Sequence, residues 1–385
     1  MREFSMPLIT DIQVGSGFIS KVGKCVKKYS NKVLLVYGGG SIKANGIYDE
    51  VLESLQKAKI EVIELSGIVS NPLLSKVNEG INICRKNNIN FILPVGGGSV
   101  WDTSKAIASG VNYDGDVWDF FEGKNIPSAL PHGGVFTMSA TSTESNCIAV
   151  VTNDETREKT SIYSEWIRPK FAISDPKVIS TIPKNILLYG AFDIISHLLE
   201  GYFDREVTPL LDSYSIVTIK HTMDIMKTLS KNQNDVNASY ELLYAGAFGH
   251  SGILYCGRGG GDWASHKLEH VISGFFPEII HGEGLAIVFP AWMTVVNHNQ
   301  KDKFDKLFSN IFVVPNDEDP TTFGIKKLKE FLVELGLPIS LKGSRVEKDF
   351  LLDKYKELLV KYKAIGQAKI LDESDMESIV EEMYL

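Results

Sequence analysis

Cysteine is scarce in this sequence. Cys25, Cys84, Cys147 and Cys256 are scattered through 385 residues, with no C-x-x-C pair. That excludes a disulfide framework and favours reduced thiols in a cytoplasmic setting. An excess of positive charge is also missing. The 40 Lys and Arg face 48 Asp and Glu, for a net charge of −8. No footprint for nucleic acid or an anionic membrane follows from that balance. No apolar run nears the ~20 residues that span a bilayer. The stretch MREFSMPLITDIQVGSG lacks the apolar centre of a signal peptide. Low-complexity tracts and short repeats are absent too. What is left is a globular composition, 44% hydrophobic and 23% charged, in a chain long enough for two domains.

The first half alternates between strand and helix patterns. KVLLVYGGGSI reads as a buried strand over 33–37 running into a glycine turn. YDEVLESLQKA has helical spacing, IEVIEL (60–65) is a second strand, and LSKVNEGINICRKNN is a second helix. NFILPV (90–95) is a third strand, followed by GGGSVWDTSKAIASG. Such alternation predicts βαβ units and a parallel sheet. Strand-like runs continue at GVFTM, CIAVVTN and KFAIS, until Asp175–Pro176 breaks the pattern. From TIPKNILLYGAFDIISHLLEGYF onward most segments read as helices, with Thr181 as N-cap and Pro183 in the first turn. The expectation is an α/β domain over 1–180 and an all-helical domain over 181–385. A cleft between two such domains is the default ligand site.

Two glycine turns carry chemistry. Gly96-Gly97-Gly98-Ser99 leaves a strand and enters a helix, with Asp102 in its first turn. Backbone amides at a helix N-terminus attract phosphate, and glycine lets the backbone come close. The plain alternative is a simple connection, since the motif is not G-x-G-x-x-G. Gly38-Gly39-Gly40-Ser41 follows the first strand, with no acid before Asp49 and with Lys43 nearby. A NAD site usually places a carboxylate at the ribose 2′-hydroxyl. If this turn meets the adenosine ribose, a hydroxyl and a lysine suit the 2′-phosphate of NADP(H) better.

The histidines cluster. Asp193 and His197 are four apart in a predicted helix, so both side chains share a face. They could simply pair with each other. His266 and His270 repeat that spacing in SHKLEH, and His281 opens HGEGLA. Four of the eight histidines, His250 included, fall within 32 residues. Three imidazoles and a carboxylate suit Zn(II) or Fe(II), leaving one group for proton transfer. A competing reading takes His266-Lys267-Leu268-Glu269-His270 as the H-x-x-E-H signature of a zinc peptidase. Glu269 would then be the base and Glu334 or Glu357 the third ligand.

Taken together, GRGGGDWASHKLEHVISGFFPEIIHGEGLAIVFPAWM (257–293), VYGGGSIK, SNPLLSKVNEG, PVGGGSVWDTSKAIA and PKNILLYGAFDIISHLLEGYF resemble the iron-containing alcohol dehydrogenases. The likeness is to their butanol dehydrogenase and NADPH-dependent aldehyde reductase subgroup. The resemblance implies an N-terminal dinucleotide-binding α/β domain and a C-terminal helical domain, as in dehydroquinate synthase. It implies metal ligands at Asp193, His197, His266 and His281, with His270 lining the site near the nicotinamide. It implies a pyrophosphate at Gly96 to Ser99 and an adenosine ribose at Gly38 to Ser41. Asn71, Thr137, Thr141, Asn146 and Lys159 match cofactor-contacting positions. A homodimer and a short-chain aldehyde or primary alcohol as substrate are also implied. One position departs. The family's P-A-T-G-S-E run is Ser139-Ala140-Thr141-Ser142-Thr143-Glu144 here, with serine in place of glycine. If that glycine uses positive φ, Ser142 strains the turn. An NAD-dependent polyol dehydrogenase, a lyase of the same architecture and a metal-binding scaffold without enzymatic activity are the alternatives. Trp263, Phe275 and Trp292 are candidate pocket walls, with plain core the competing role.

Overall fold

The computed structural model describes residues 10–385. The chain divides into two compact units at Pro183/Lys184, with Gln233–Gly252 belonging to the first.

The α/β unit is built on a parallel sheet of six strands in the order β1-β8-β5-β4-β2-β3. These are β1 (Asp11–Val14), β2 (Lys32–Tyr37), β3 (Glu61–Leu65), β4 (Ile92–Gly96), β5 (Gly134–Phe136) and β8 (Phe171–Ser174). β6 (Ile148–Thr152) and β7 (Lys159–Tyr163) form a separate antiparallel hairpin. The helices are α1 (Val22–Val26), α2 (Ser41–Ala44), α3 (Ile47–Lys57), α4 (Leu74–Asn87), α5 (Gly98–Gly110) and α6 (Trp118–Phe121). β2 and β4 are apolar throughout their buried lengths, as strands covered on both faces must be. Their C-terminal ends carry the two glycine turns.

The helical unit contains α7 (Lys184–Tyr202) and α8 (Pro209–Lys231), then α10 (Ala264–Phe275), α11 (His281–Val296), α12 (Lys301–Ile311), α13 (Pro320–Glu334), α14 (Lys348–Lys361) and α15 (Glu373–Met383). Every residue of α7 from Leu187 to Tyr202 is buried. A helix apolar all round belongs in a core, and its few polar residues then need partners. Among the described residues no helix is long and apolar enough to cross a membrane.

CIAVVTN is a strand as expected, placed in the hairpin. Two expectations need correction. Thr181 does not cap α7: it ends the preceding 3-10 turn (Pro176–Thr181), where its hydroxyl donates to Val178 O at 2.7 Å. The second concerns α9 (Val236–Gly249), which the sequence places in the helical domain but which packs in the α/β unit. Serine hydroxyls hold it there. Ser139 Oγ donates to Leu242 O at 2.7 Å, and Ser145 Oγ to Ala247 O at 2.6 Å.

Candidate metal and dinucleotide sites

The helical unit gathers the predicted metal ligands. α7 supplies Asp193 and His197, α10 supplies His266, and α11 opens on His281. Glycine brings α11 close to α7: a Cβ on Gly282 would lie 2.2 Å from Tyr189 O. His197 Nδ1 stands 3.5 Å from Asp193 Oδ1, and His266 Nε2 and His281 Nε2 each stand 3.7 Å from the same oxygen. These gaps are too long for hydrogen bonds. They approach the edge of a tetrahedron of donors, roughly 3.4 Å for ligands about 2.1 Å from an ion. Donor atoms of Asp193, His266 and His281 lie within 4.8 Å of one another. Among the described residues, Asp193 Oδ1 and His266 Nε2 have no hydrogen-bond partner, although both are buried. Unpaired buried polar atoms are costly, and an ion among them would satisfy both. The donor set therefore fits a divalent cation.

Charges around this point are tightly linked. Burial alone would raise the Asp193 carboxyl, but His197, His266 and His281 hold it well below the usual carboxylate range. Burial lowers His197 to about 3 despite the pull of Asp193. His266 runs the other way. Burial opposes its charge, but the carboxylates of Asp193 and Glu200 raise it to about 9. Glu200 Oε1 accepts from His266 Nδ1 at 2.7 Å and from its backbone N–H at 3.2 Å. Its other oxygen accepts from the backbone N–H of Trp263. Glu200 was not foreseen, yet a signal existed: residues 193, 197 and 200 lie on one face of α7.

His270 is half-buried, with its ring centroid 5.4 Å from that of His281 and 6.5 Å from that of His266. It lies outside the donor group around Asp193. The peptidase assignment of Glu269 and its acidic partners does not fit. Glu269 is wholly buried and accepts from His281 Nδ1. Glu357 is exposed and paired with Lys354 at 2.8 Å. His250 ends α9 in the α/β unit, where its N–H donates to Ser142 Oγ at 2.7 Å. Of the three aromatic candidates, Trp263 sits at the histidines, edge-on to His266 at 5.1 Å and His197 at 6.0 Å. Trp292 is core, packed on Phe203 and Phe289. Phe275 packs edge-on against Phe350.

The α/β unit arranges the second set. Gly96 ends β4, Gly97 precedes α5, and Gly98 and Ser99 open it. No side chain caps that N-terminus, so its first amides face outward for an acceptor. A Cβ on Gly98 would meet Thr141 Oγ1 at 3.0 Å, and that hydroxyl is buried without a partner among the described residues. Thr137 N–H donates to Gly96 O at 3.1 Å. Across the unit, Asn71 sits at φ 55° and accepts from Lys159 Nζ at 2.9 Å. Among the described residues its buried Nδ2 donor has no partner. An unused hydroxyl beside an open helix N-terminus fits a phosphate-bearing cofactor.

Two of the predicted contacts, Asp102 and Asn146, have structural work of their own. Asp102 accepts from Thr143 Oγ1 at 2.6 Å and from Val150 N at 3.1 Å, so both oxygens are committed inside the protein. Asn146 accepts from Lys105 Nζ at 2.7 Å and Ile148 N at 3.0 Å, and donates to Thr141 O at 3.0 Å. Lys105 was also missed. It is fully buried, and burial lowers it to about 8. Together these three residues brace the turn that presents Thr141.

Gly38 leaves β2, while Gly39 and Gly40 precede Ser41 and leave open space where a Cβ would stand. Here the sequence reading overlooked an acid. β3 lies beside β2, pairing Leu35 with Glu64. Glu64 accepts from Tyr37 Oη at 2.6 Å and Tyr48 Oη at 2.8 Å, and Lys43 Nζ lies 4.5 Å from the Tyr48 ring centre.

Ser142 does adopt positive φ, at 52°. Its hydroxyl donates to Gly246 O and accepts from His250 N–H, offsetting the strain. Ser142→Ala keeps the strain and removes both of these hydrogen bonds from buried backbone groups. A loss of about 2–4 kcal/mol is expected. Ser142→Gly loses the same bonds but relieves φ, and should be more stable than the alanine variant by about 1 kcal/mol. Urea unfolding of the three proteins checks the order; equal midpoints would refute it.

Known proteins resemble the chain over nearly its whole length. A model of "Iron-containing alcohol dehydrogenase" matches residues 10–176. One of "Fe-containing alcohol dehydrogenase family, C-terminal" matches residues 187–384. The chain is 40% identical over 390 residues to a probable NADH-dependent butanol dehydrogenase 1 of Bacillus subtilis, covering 99% of each. It is 31% identical to the NADPH-dependent aldehyde reductase YqhD of Escherichia coli, covering 89% of each. The crystal structure of NADH-dependent butanol dehydrogenase A from Thermotoga maritima superposes with a TM-score of 0.95 at 38% identity, over 100% of this chain and 99% of that one. Matched along nearly its whole length, the chain belongs to the iron-containing alcohol dehydrogenase family.

Proposed function

We propose that this protein is a metal-dependent alcohol dehydrogenase and aldehyde reductase that moves hydride between NADP(H) and short-chain aldehydes or primary alcohols. One observation carries the reading: Asp193, His266 and His281 bring donor atoms within 4.8 Å of one another, with His197 Nδ1 3.5 Å from Asp193 Oδ1, and among the described residues Asp193 Oδ1 and His266 Nε2 lack partners. Asp193, His197, His266 and His281 would hold Fe(II) or Zn(II), both of which accept such donors. When bound, the cation supplies Lewis-acid polarisation of the carbonyl oxygen and the nicotinamide supplies hydride. The chain's own residues do the rest. Trp263 shields the histidines on one side. Gly97, Gly98 and the Thr141 hydroxyl receive the pyrophosphate, with Asn71 and Lys159 as further donors. His270 carries the proton to or from the substrate oxygen.

The NADP(H) preference rests on Lys43 beside an open glycine turn, with Glu64 already held by two tyrosine hydroxyls. Glu64 also favours a second reading, NAD(H), because it could turn to a ribose hydroxyl; two of the relatives above carry NADH in their names. Homodimerisation, which the resemblance implies, belongs to the same proposal and is read from the mass in solution. A reducing cytoplasm suits Fe(II).

The test is oxidation of NADPH and NADH with butanal, by chelated protein and by the same protein given Fe(II) or Zn(II). Metal-dependent turnover favouring NADPH is expected. Metal-dependent turnover with NADH alone would overturn the NADP(H) preference and leave the rest. No turnover with any aldehyde, but turnover of glycerol with NAD, would move the protein to the polyol dehydrogenases.

A further inference from the structure

The H-x-x-E-H motif keeps one member, Glu269, without a function once the peptidase reading falls. Its glutamate is wholly buried on α10, in a helical core that disfavours charge. Glu269 Oε2 accepts from His281 Nδ1. At the other end of that ring, Nε2 faces Asp193 Oδ1 at 3.7 Å. The chain makes room for this carboxylate. A Cβ on Gly284 would stand 2.8 Å from Glu269 Cγ and 2.9 Å from Oε1. Only glycine at that point of α11 leaves the carboxylate in place. The same device occurs once more in the unit, where Glu200 holds His266 by Nδ1 and leaves Nε2 toward Asp193.

From this geometry we infer that Glu269 is a positioning residue for the metal, holding His281 so that Nε2 points at the ion. The inference rests on the metal reading above. A carboxylate behind a ligating imidazole fixes the tautomer, with the proton on Nδ1 and the lone pair on Nε2. It also makes the ring a stronger donor. Glu200 does the same for His266 but also holds the backbone of Trp263, so its substitution disturbs more than one feature. Glu269 gives the cleaner experiment.

A rival role exists for the same atoms. Glu269, His270 and His281 also offer donor atoms within 4.8 Å of one another. As a ligand of a second ion, Glu269 would stand off from His281 Nδ1 by roughly the 3.4 Å that separates donors of one ion. Instead the two are in hydrogen-bonding contact.

The test uses chelated parent protein and Glu269→Gln, titrated with Zn(II) against a competing chelator and with Co(II) followed by its visible spectrum. Glutamine keeps the shape and an acceptor for Nδ1–H but removes the charge. The expected result is one equivalent per chain in both, with affinity weaker by about 10- to 100-fold in the variant. The Co(II) spectrum should shift, while metal-free melting stays where it was. Gly284→Ala is the second variant. It displaces the carboxylate without changing it, and should weaken Zn(II) in the same direction even if Glu269→Gln folds poorly. Unchanged Zn(II) affinity and Co(II) spectrum in Glu269→Gln would overturn the inference. So would two equivalents in the parent and one in the variant, which would make Glu269 a ligand. A parent that binds neither ion would overturn the metal reading itself, a different failure.

Discussion

His266→Ala is expected to purify without stoichiometric metal and to lose at least about 10³-fold in aldehyde reduction. The Lewis-acid contribution of a bound cation amounts to several kcal/mol, and every 1.4 kcal/mol or so is tenfold in rate. His266 is the best-placed donor for this test. Its Nε2 is buried without a partner among the described residues, and Glu200 holds the far side of its ring. The loss should extend to the metal-free protein, with a definite sign. The folded His266 is raised to about 9 by Asp193 and Glu200 against its burial, above an unfolded value near 6.5. Its contribution to stability is therefore fully present below about pH 6.5 and fades as the pH rises through about 9. The melting temperature of chelated His266→Ala should fall furthest below that of the parent at pH 6, with the gap narrowing by pH 9.5. Elemental analysis of the purified variant decides the main point. Stoichiometric metal retained after this substitution would remove His266 from the ligand set.

How much of this was legible in the chain depends on the range of the interaction. The parallel sheet was readable because VLLVY and ILPV are apolar without interruption and end in glycine. The ligand candidates were readable because i, i+4 spacing places Asp193 beside His197 whatever the tertiary fold. Glu200 obeyed the same rule, three residues past His197, and was overlooked because a glutamate in an apolar helix passes for a surface residue. Other features had no local signal. α9 reads as one more helix, and the hydroxyls that help tie it to the α/β unit lie about 100 residues upstream. Glu64 stands opposite Leu35 through strand pairing alone, so counting forward from the glycine turn could not find it. Ser142 was read correctly as a point of strain. Its compensation by Gly246 and His250 lay beyond any spacing rule.

His270→Ala should separate chemistry from metal binding. α10 carries His270 one turn beyond His266, on the same face. That places its ring near His281 and His266 without entering the donor group at Asp193. The proposed role for a residue so placed is to exchange a proton with a substrate held at the metal without being a ligand itself. The variant is therefore expected to keep one equivalent of metal and to lose about 10²- to 10⁴-fold in kcat, the usual contribution of a positioned acid–base group. KM for the aldehyde should change little, because the imidazole would act on charge that develops during reaction rather than on the bound ground state. An imidazole titrates near neutral pH, so the limb of the kcat–pH profile that the parent owes to this group should disappear from the variant. Loss of metal would instead make His270 a ligand. Unchanged turnover with metal intact would pass the proton to another route, and the water around this half-exposed ring would be the first to examine.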